Sequence, residues 1–350
     1  MKAFSRHGII VFLAGILALA GMVLSIICSC AQNKKGEATW HELEGYHLSS
    51  VAWSPKGNLI AFVATDGDEY GIARRASIWL FTPPSQGSKP TMRRLIDRTD
   101  EQGIPVGLFW LDNDRIGWAN ARLTKSFTFS FFALGLHDKN PKRLVGSSYS
   151  YTQDRSARSS FGAPDDVYWD SESDSILFSG NDTSYGPSIN ILHLTTGKLN
   201  RISVGKATEV IAVLTVCGSL RDPQKPVFYV AGTIMKDTGD VILWRSDSYS
   251  FKQTEVITRI PAGRIVFPRT SPNGDMLTWL QTGENEKTND IIIRNLKTGI
   301  NRDLVTFSVD WEGMDPALGC PYSWSPDGKK IAYADGSRIK IVQVASKNGK

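Results

Sequence analysis

The chain has 350 residues, of which 41% are hydrophobic and 21% charged, with 31 glycines and 16 prolines spread along its length. That is the composition of a globular protein with material for a full core, and it excludes collagen-like, low-complexity and charge-driven disordered classes. The formal charge of +5 is mild and basic residues gather no further than doublets such as Arg74–Arg75 and Arg93–Arg94, which argues against a nucleic-acid surface.

Residues 1–30 form a segment of their own. Lys2 and Arg6 precede Gly8–Ile27, a run of 20 residues without a charge. At about 1.5 Å per helical residue the run reaches roughly 30 Å, the thickness of a bilayer's hydrocarbon core, and long for a cleaved leader. It ends in Ile27-Cys28-Ser29-Cys30, which resembles a bacterial lipobox with Cys30 as the lipid acceptor. The expectation is therefore a lipoprotein tethered through Cys30, ahead of an uncleaved anchor and of ordinary secretion. In each reading the charges before the run hold the N-terminus in the cytoplasm and residues 31 onward lie in the cell envelope, outside it. Residues 31–38 read as a linker and 346–350 as a tail.

Between them, residues 39–345 repeat one phrase. Trp53–Ala64 (WSPKGNLIAFVA), Thr270–Gln281 (TSPNGDMLTWLQ) and Trp324–Asp335 (WSPDGKKIAYAD) each place a Ser-Pro-x-Gly turn between two alternating strands. Proline pre-sets its backbone angle for the second turn position and glycine accepts the positive φ that closes the turn. Worn copies stand between them at Leu108–Asn120, Val167–Gly180 and Leu214–Gly232, the last with an enlarged turn. That makes six units, each continued by a third and a fourth strand, as in Ser77–Phe81 with Met92–Ile96, and Ser188–Leu194 with Asn200–Val204. Repeats of four short strands at about fifty residues read as β-propeller blades. The sixth unit lacks an outer strand, and Thr39–Gly45 (TWHELEG), ahead of the first unit, has the outer-strand pattern. The expected fold is thus all-β, a six-bladed propeller whose N-terminal strand closes the last blade.

The phrase WSPDG…IAY resembles the TolB-type, WD40-like propeller repeat over nearly all of residues 39–345. The resemblance implies the fold. For function it implies little, because that family holds partner proteins of envelope systems, peptidase propellers and propellers without known activity. The additional N-terminal domain of TolB itself has no counterpart in the sequence, so shared repeats are expected rather than an equivalent protein.

A peptidase would need a nucleophile elbow, and no Gly-x-Ser-x-Gly occurs. The five histidines, His7, His41, His47, His137 and His193, are scattered, with the last two read into third strands. Neither paired-cysteine nor His-x-x-x-His spacing is present, and Asp66–Gly71 and Asp112–Asp114 fit turn chemistry better than a calcium loop, so no metal and no cofactor are expected. Cys217 and Cys320 fall a whole blade apart in the repeat and are expected as unbridged thiols. Two connections exceed the usual length, Gly146–Asp166 and Phe307–Pro321, both joining an outer strand to the next inner strand. Their Tyr149, Tyr151, Arg155, Arg158 and Trp311 are the candidate contacts to a protein or peptide partner, since Tyr, Arg and Trp dominate binding hot spots. The expected function is a non-catalytic binding module at the bacterial envelope. Its alternative is a hydrolase or lyase on glycans or cell-wall material through Asp310, Glu312 and Asp315.

Overall fold

The computed structural model describes residues 37–344 apart from 68–72, 85–88, 100–102, 123–126, 146–148, 152–166, 183–185, 205–209, 235–239, 253, 261–264, 283–287 and 309–318. The chain divides into two compact units, Met1–Ala38 and Thr39–Lys350, and the propeller is the second. The apolar run Gly8–Ile27 and Cys30 lie outside the described residues.

Six antiparallel sheets follow one another, and no helix occurs among the described residues. The first blade is β2 (His47–Trp53), β3 (Ile60–Gly67), β4 (Ala73–Thr82) and β5 (Thr91–Thr99). The second is β6 (Ile104–Trp110), β7 (Arg115–Arg122) and β8 (Phe127–Gly135), with its outer strand split between β9 (Lys142–Arg143) and β10 (Tyr149–Tyr151). The third is β11 (Val167–Asp170), β12 (Ser175–Asp182), β13 (Gly186–His193) and β14 (Leu199–Ser203). The fourth is β15 (Val210–Ser219), β16 (Val227–Ile234), β17 (Val241–Ser246) and β18 (Thr254–Ile260); the fifth is β19 (Ile265–Thr270), β20 (Met276–Thr282), β21 (Thr288–Asn295) and β22 (Asn301–Ser308). The sixth has only β23 (Tyr322–Trp324), β24 (Lys330–Asp335) and β25 (Arg338–Gln343) from its own stretch, and β1 (Glu37–Glu42) adds the outer strand against β25. The two ends of the repeat therefore share a sheet, as the unpaired sixth unit requires, which removes the exposed edges an open sheet would present.

The intact turns are built alike. Ser54, Ser271 and Ser325 each accept the backbone N–H that follows the turn on their hydroxyl, from Leu59 at 3.0 Å, Met276 at 3.0 Å and Lys330 at 2.9 Å. Gly57, Gly274 and Gly328 take φ of 75°, 74° and 66° and donate back to the same serines' carbonyls. Glycine occupies these positions because a Cβ is strained in that region. The worn third copy puts Asp170 where the serine stands, and its carboxylate instead accepts from Leu220 N at 2.8 Å, tying the third blade's turn to the fourth's.

There is no single core. Six apolar layers lie in the six seams between neighbouring blades. The seam that closes the ring sets Phe62, Ile60 and Phe81 of the first blade against Ala332, Ala334 and Ile339 of the sixth, all within 4% of full burial. Backbone bonds lace it, Leu48 N to Gly336 O at 3.0 Å and Val51 N to Cys320 O at 2.8 Å.

Register shows how the seams are filled. Trp53, Trp110 and Trp324 each end an inner strand, Trp169 stands one residue before the end of its own, and the four sit opposite Ile60, Ile116, Ile331 and Ile176 of the second. Each lies in the layer shared with the preceding blade; Trp110 Nε1 donates to Ala52 O and Trp324 Nε1 to Thr278 Oγ1, both at 3.0 Å. The fourth and fifth blades lack this wedge. Gly218 stands opposite Phe228 and Thr270 opposite Leu277.

Candidate functional site

Inner strands of four blades, β2, β6, β15 and β19, bulge. The pairing slips between Ser49 and Ala52, between Val106 and Phe109, and between Val266 and Arg269, and at the matching points Ser50, Gly107 and Phe267 have φ of 47°, 58° and 56°. Hydroxyls of the preceding blade hold two of these bulges, Ser50 Oγ accepting from Gly107 N at 3.0 Å and Thr215 Oγ1 from Phe267 N at 2.8 Å. The approach is tight, for a Cβ on Gly107 would stand 2.3 Å from Val167 Cγ2, so that position admits only glycine. Positive φ at a serine and a phenylalanine is stored strain, kept where the surroundings over-determine the backbone.

Beyond the bulges the inner strands β2, β6, β11, β19 and β23 enclose a cavity of about 450 Å³. Its floor and walls include Gly107, Val167, Tyr168, Arg269 and Tyr322, and its mouth is bounded by Pro55, Asp112, Asn113 and Ser171 on the turns that follow the inner strands. The volume falls in the range of small-ligand and peptide-side-chain pockets.

The wedge-poor half of the ring shapes the wall. The fourth blade has Cys217 and Gly218 where the first has Ala52 and Trp53, so Tyr168 of the third blade packs into the layers on both sides of the fourth. It thereby reaches the fifth blade, where the Arg269 guanidinium lies over its ring at 5.4 Å and Thr270 hydrogen-bonds its hydroxyl. Burial pushes the Tyr168 and Tyr322 phenols well above their ordinary range, so both remain hydroxyl donors at neutral pH. Tyr322 donates to the Phe267 carbonyl, across the seam between the fifth and sixth blades. Trp169 stacks on Phe109 at 5.6 Å, and its buried indole N–H has no hydrogen-bond partner among the described residues. Asp112, at the mouth, is held below its ordinary range: partial burial opposes the shift, but the Asp114 backbone N–H and the Arg115 guanidinium outweigh it.

The residues singled out from sequence fall elsewhere or outside the described set. Tyr149 and Tyr151 lie in β10, opposite Phe129 and Phe127 of β8, so the first part of the Gly146–Asp166 connection is sheet rather than loop. Its backbone satisfies its hydrogen bonds by extending the second blade's outer strand past the break after β9. Arg155, Arg158 and Trp311, with Asp310, Glu312 and Asp315, lie outside the described residues. Because the inner strand runs from the outer-strand connection to the Ser-Pro-x-Gly turn, the two long connections attach at the end of the ring opposite the channel mouth. Cys217 in β15 and Cys320 ahead of β23 are buried thiols. His41 lies inside β1 rather than beside it, and His137 lies in the turn after β8.

His193, at the end of β13, makes the nearest approach to a nucleophile–base pair. Its Nδ1 is 2.7 Å from Ser175 Oγ. The serine hydroxyl donates to Ser173 O at 2.9 Å, and Asn200 Nδ2 stands 3.3 Å from His193 Nε2. The donors thus run Asn200 to His193 to Ser175 to Ser173, which makes the serine an acceptor from the imidazole and not its proton donor. Ser175 is fully buried, and the pair is a structural strut.

No protein-family model and no curated protein matches the chain. Solved structures do. TolB from Acinetobacter baumannii aligns at 15% identity over 73% of this chain and 53% of that one, with a TM-score of 0.50. The likeness is one of fold, and the aligned part is about half the length of that TolB. The periplasmic gluconolactonase of Pseudomonas aeruginosa aligns at 12% identity over 86% of this chain and 82% of that one, also at 0.50. One neighbour is thus named for an enzyme and the other is TolB, and the likeness to both is one of fold.

Proposed function

We propose that this propeller is a non-catalytic binding module of the cell envelope, and that it holds a peptide segment of a protein partner in the mouth of its central channel. The observation that carries the reading is the state of the channel wall. The Trp110, Trp324 and Tyr322 donors are already committed to bonds between blades, and Arg269 is fixed over Tyr168. Such a wall is preorganised for recognition, since the side chains lose little freedom when a guest arrives. It offers the Arg269 guanidinium and the Asp112 carboxylate at the mouth, a set suited to backbone and side-chain contacts of an extended peptide. The apolar run ahead of Cys30 supports attachment to a membrane at the N-terminus, with the ring outside the cytoplasm.

The test is capture of a partner from detergent-solubilised envelopes by the tethered protein. Arg269→Ala should weaken capture at least tenfold, and Arg269→Lys should restore only part of it, because a point charge does not reproduce the planar stack. The triple variant Tyr151→Ala, Arg155→Ala, Trp311→Ala probes the opposite end of the ring. If that variant loses capture and Arg269→Ala keeps it, the channel reading falls and the long connections carry the contact.

A further inference from the structure

The seam between the third and fourth blades holds a second cavity, of about 650 Å³, larger than the channel mouth and away from it on the same turn face. Its cause is visible in the register. Four blades carry a tryptophan at the wedge position, whereas here that position is Gly218, with Phe228 opposite it in the layer. The enlarged turn of the fourth blade, running from Leu220 past Pro223, then forms one bank instead of a cover.

We infer that this groove is a binding site for a neutral saccharide. Ile191, Ile202 and Leu220 make an apolar floor, and Tyr249 stands at the side, 39% exposed and braced edge-on by the Phe228 ring at 5.7 Å. Tyr249 is one of only three large hydrophobic side chains exposed among the described residues, and the other two, Val256 and Ile300, do not line this groove. A braced aromatic face beside an apolar floor suits the C–H face of a pyranose ring. The opposite edge of such a ring carries hydroxyls, and the groove supplies planar polar groups for them. Asn200 spends one amide hydrogen on His193 and its carboxamide oxygen has no partner among the described residues, and Glu172 and Arg221 stand at the rim. Those two charges are 3.6 Å apart and neutralise each other, so the rim selects for a guest that is polar but uncharged. The strut from Asn200 through His193 and Ser175 to Ser173 holds the polar edge in place, and Asp170, accepting from both Ser173 and Leu220, locks the two banks of the groove together. The volume lies within the roughly 300–1,000 Å³ of small-ligand sites.

The test titrates the propeller with maltotriose and with triacetylchitotriose, read by saturation-transfer NMR and by calorimetry. Saturable binding of at least one is expected. Tyr249→Ala should weaken it at least tenfold while leaving the thermal midpoint and partner capture at the channel unchanged. Tyr249→Phe should retain it, because the ring face and not the hydroxyl makes the contact, and Asn200→Ala should weaken it severalfold. The inference is overturned if neither sugar binds, or if Tyr249→Ala, shown folded, binds as well as the parent.

Discussion

The seam between the sixth and first blades and the seam between the third and fourth are built on the same repeat and end differently. At the first, Trp53 wedges in and Ser54 and Ser325 each accept the backbone N–H that follows their turn. At the second, glycine replaces the wedge, Asp170 replaces the turn serine, and a groove of about 650 Å³ opens. The ring is held by copies that keep the repeat, and the groove lies where the repeat has drifted, while intact and drifted copies share the channel mouth. The Tyr168–Arg269 stack belongs to the drifted half as well, because Tyr168 occupies space that a fourth-blade tryptophan would have claimed.

Substitutions that exchange the character of the two halves sharpen the contrast. The largest effect is expected for Trp324→Ala, which empties a buried wedge and removes the N–H that Thr278 Oγ1 accepts; denaturant unfolding should show a loss of about 3–5 kcal/mol. Thr270→Ala, at the matching point of the fifth blade, should cost less, about 1–2 kcal/mol, since its side chain is only half-buried and the main loss is its bond to the Tyr168 hydroxyl. Equal losses at the two would mean that the tryptophans are not what seals the seams.

Gly218→Ala comes next. A Cβ there would sit 2.3 Å from the Val227 carbonyl oxygen, so the β15–β16 pair must give way, at about 1–3 kcal/mol. A neutral result would show that the missing wedge is tolerated freely rather than imposed by backbone contact. Smaller again is Ser325→Ala, which removes a bond from the Lys330 N–H and should lower stability by about 1 kcal/mol.

The smallest effect concerns acid. Hydrogen bonds from Arg338 and Ser337 hold the Glu42 carboxyl below its ordinary 4.5. A depressed carboxyl contributes stability above its unfolded value and loses it as pH falls through the folded one. Thermal midpoints taken from pH 6 down to pH 3 should therefore drop slightly more for the parent than for Glu42→Gln, with the difference confined below about pH 4.5. A parent no more stable than Glu42→Gln at pH 6, or an advantage that grows as pH falls, would exclude this pair from the closure.

Much of the ring was legible because its grammar is local. Ser-Pro-x-Gly states a turn by itself, as Gly57, Gly274 and Gly328 bear out, and a sixth unit short of one strand states where residues before the first unit must go. The split outer strand at β9 and β10 was not legible, since Tyr149-Ser150-Tyr151 is three residues in a serine-rich run and is strand only because β8 offers it an edge. The channel wall was hidden for a different reason. Tyr168 and Arg269 are 101 positions apart and meet across an intervening blade, so no spacing announces them. A signal was present nonetheless: aligning the repeats on the residue before the wedge gives Ala52, Phe109, Tyr168, Cys217, Arg269 and Ser323, and only Tyr168 and Arg269 put a polar tip at the end of a long side chain there.

The most direct test of the account places a photoreactive residue at Ser171, on the channel mouth, and another at Val256, on the outer rim of the fourth blade. Illumination of intact envelopes should give one discrete adduct from position 171, abolished by Arg269→Ala, and none from position 256. An adduct from 256 with nothing from 171, or an adduct at 171 indifferent to Arg269→Ala, would contradict a partner held in the channel.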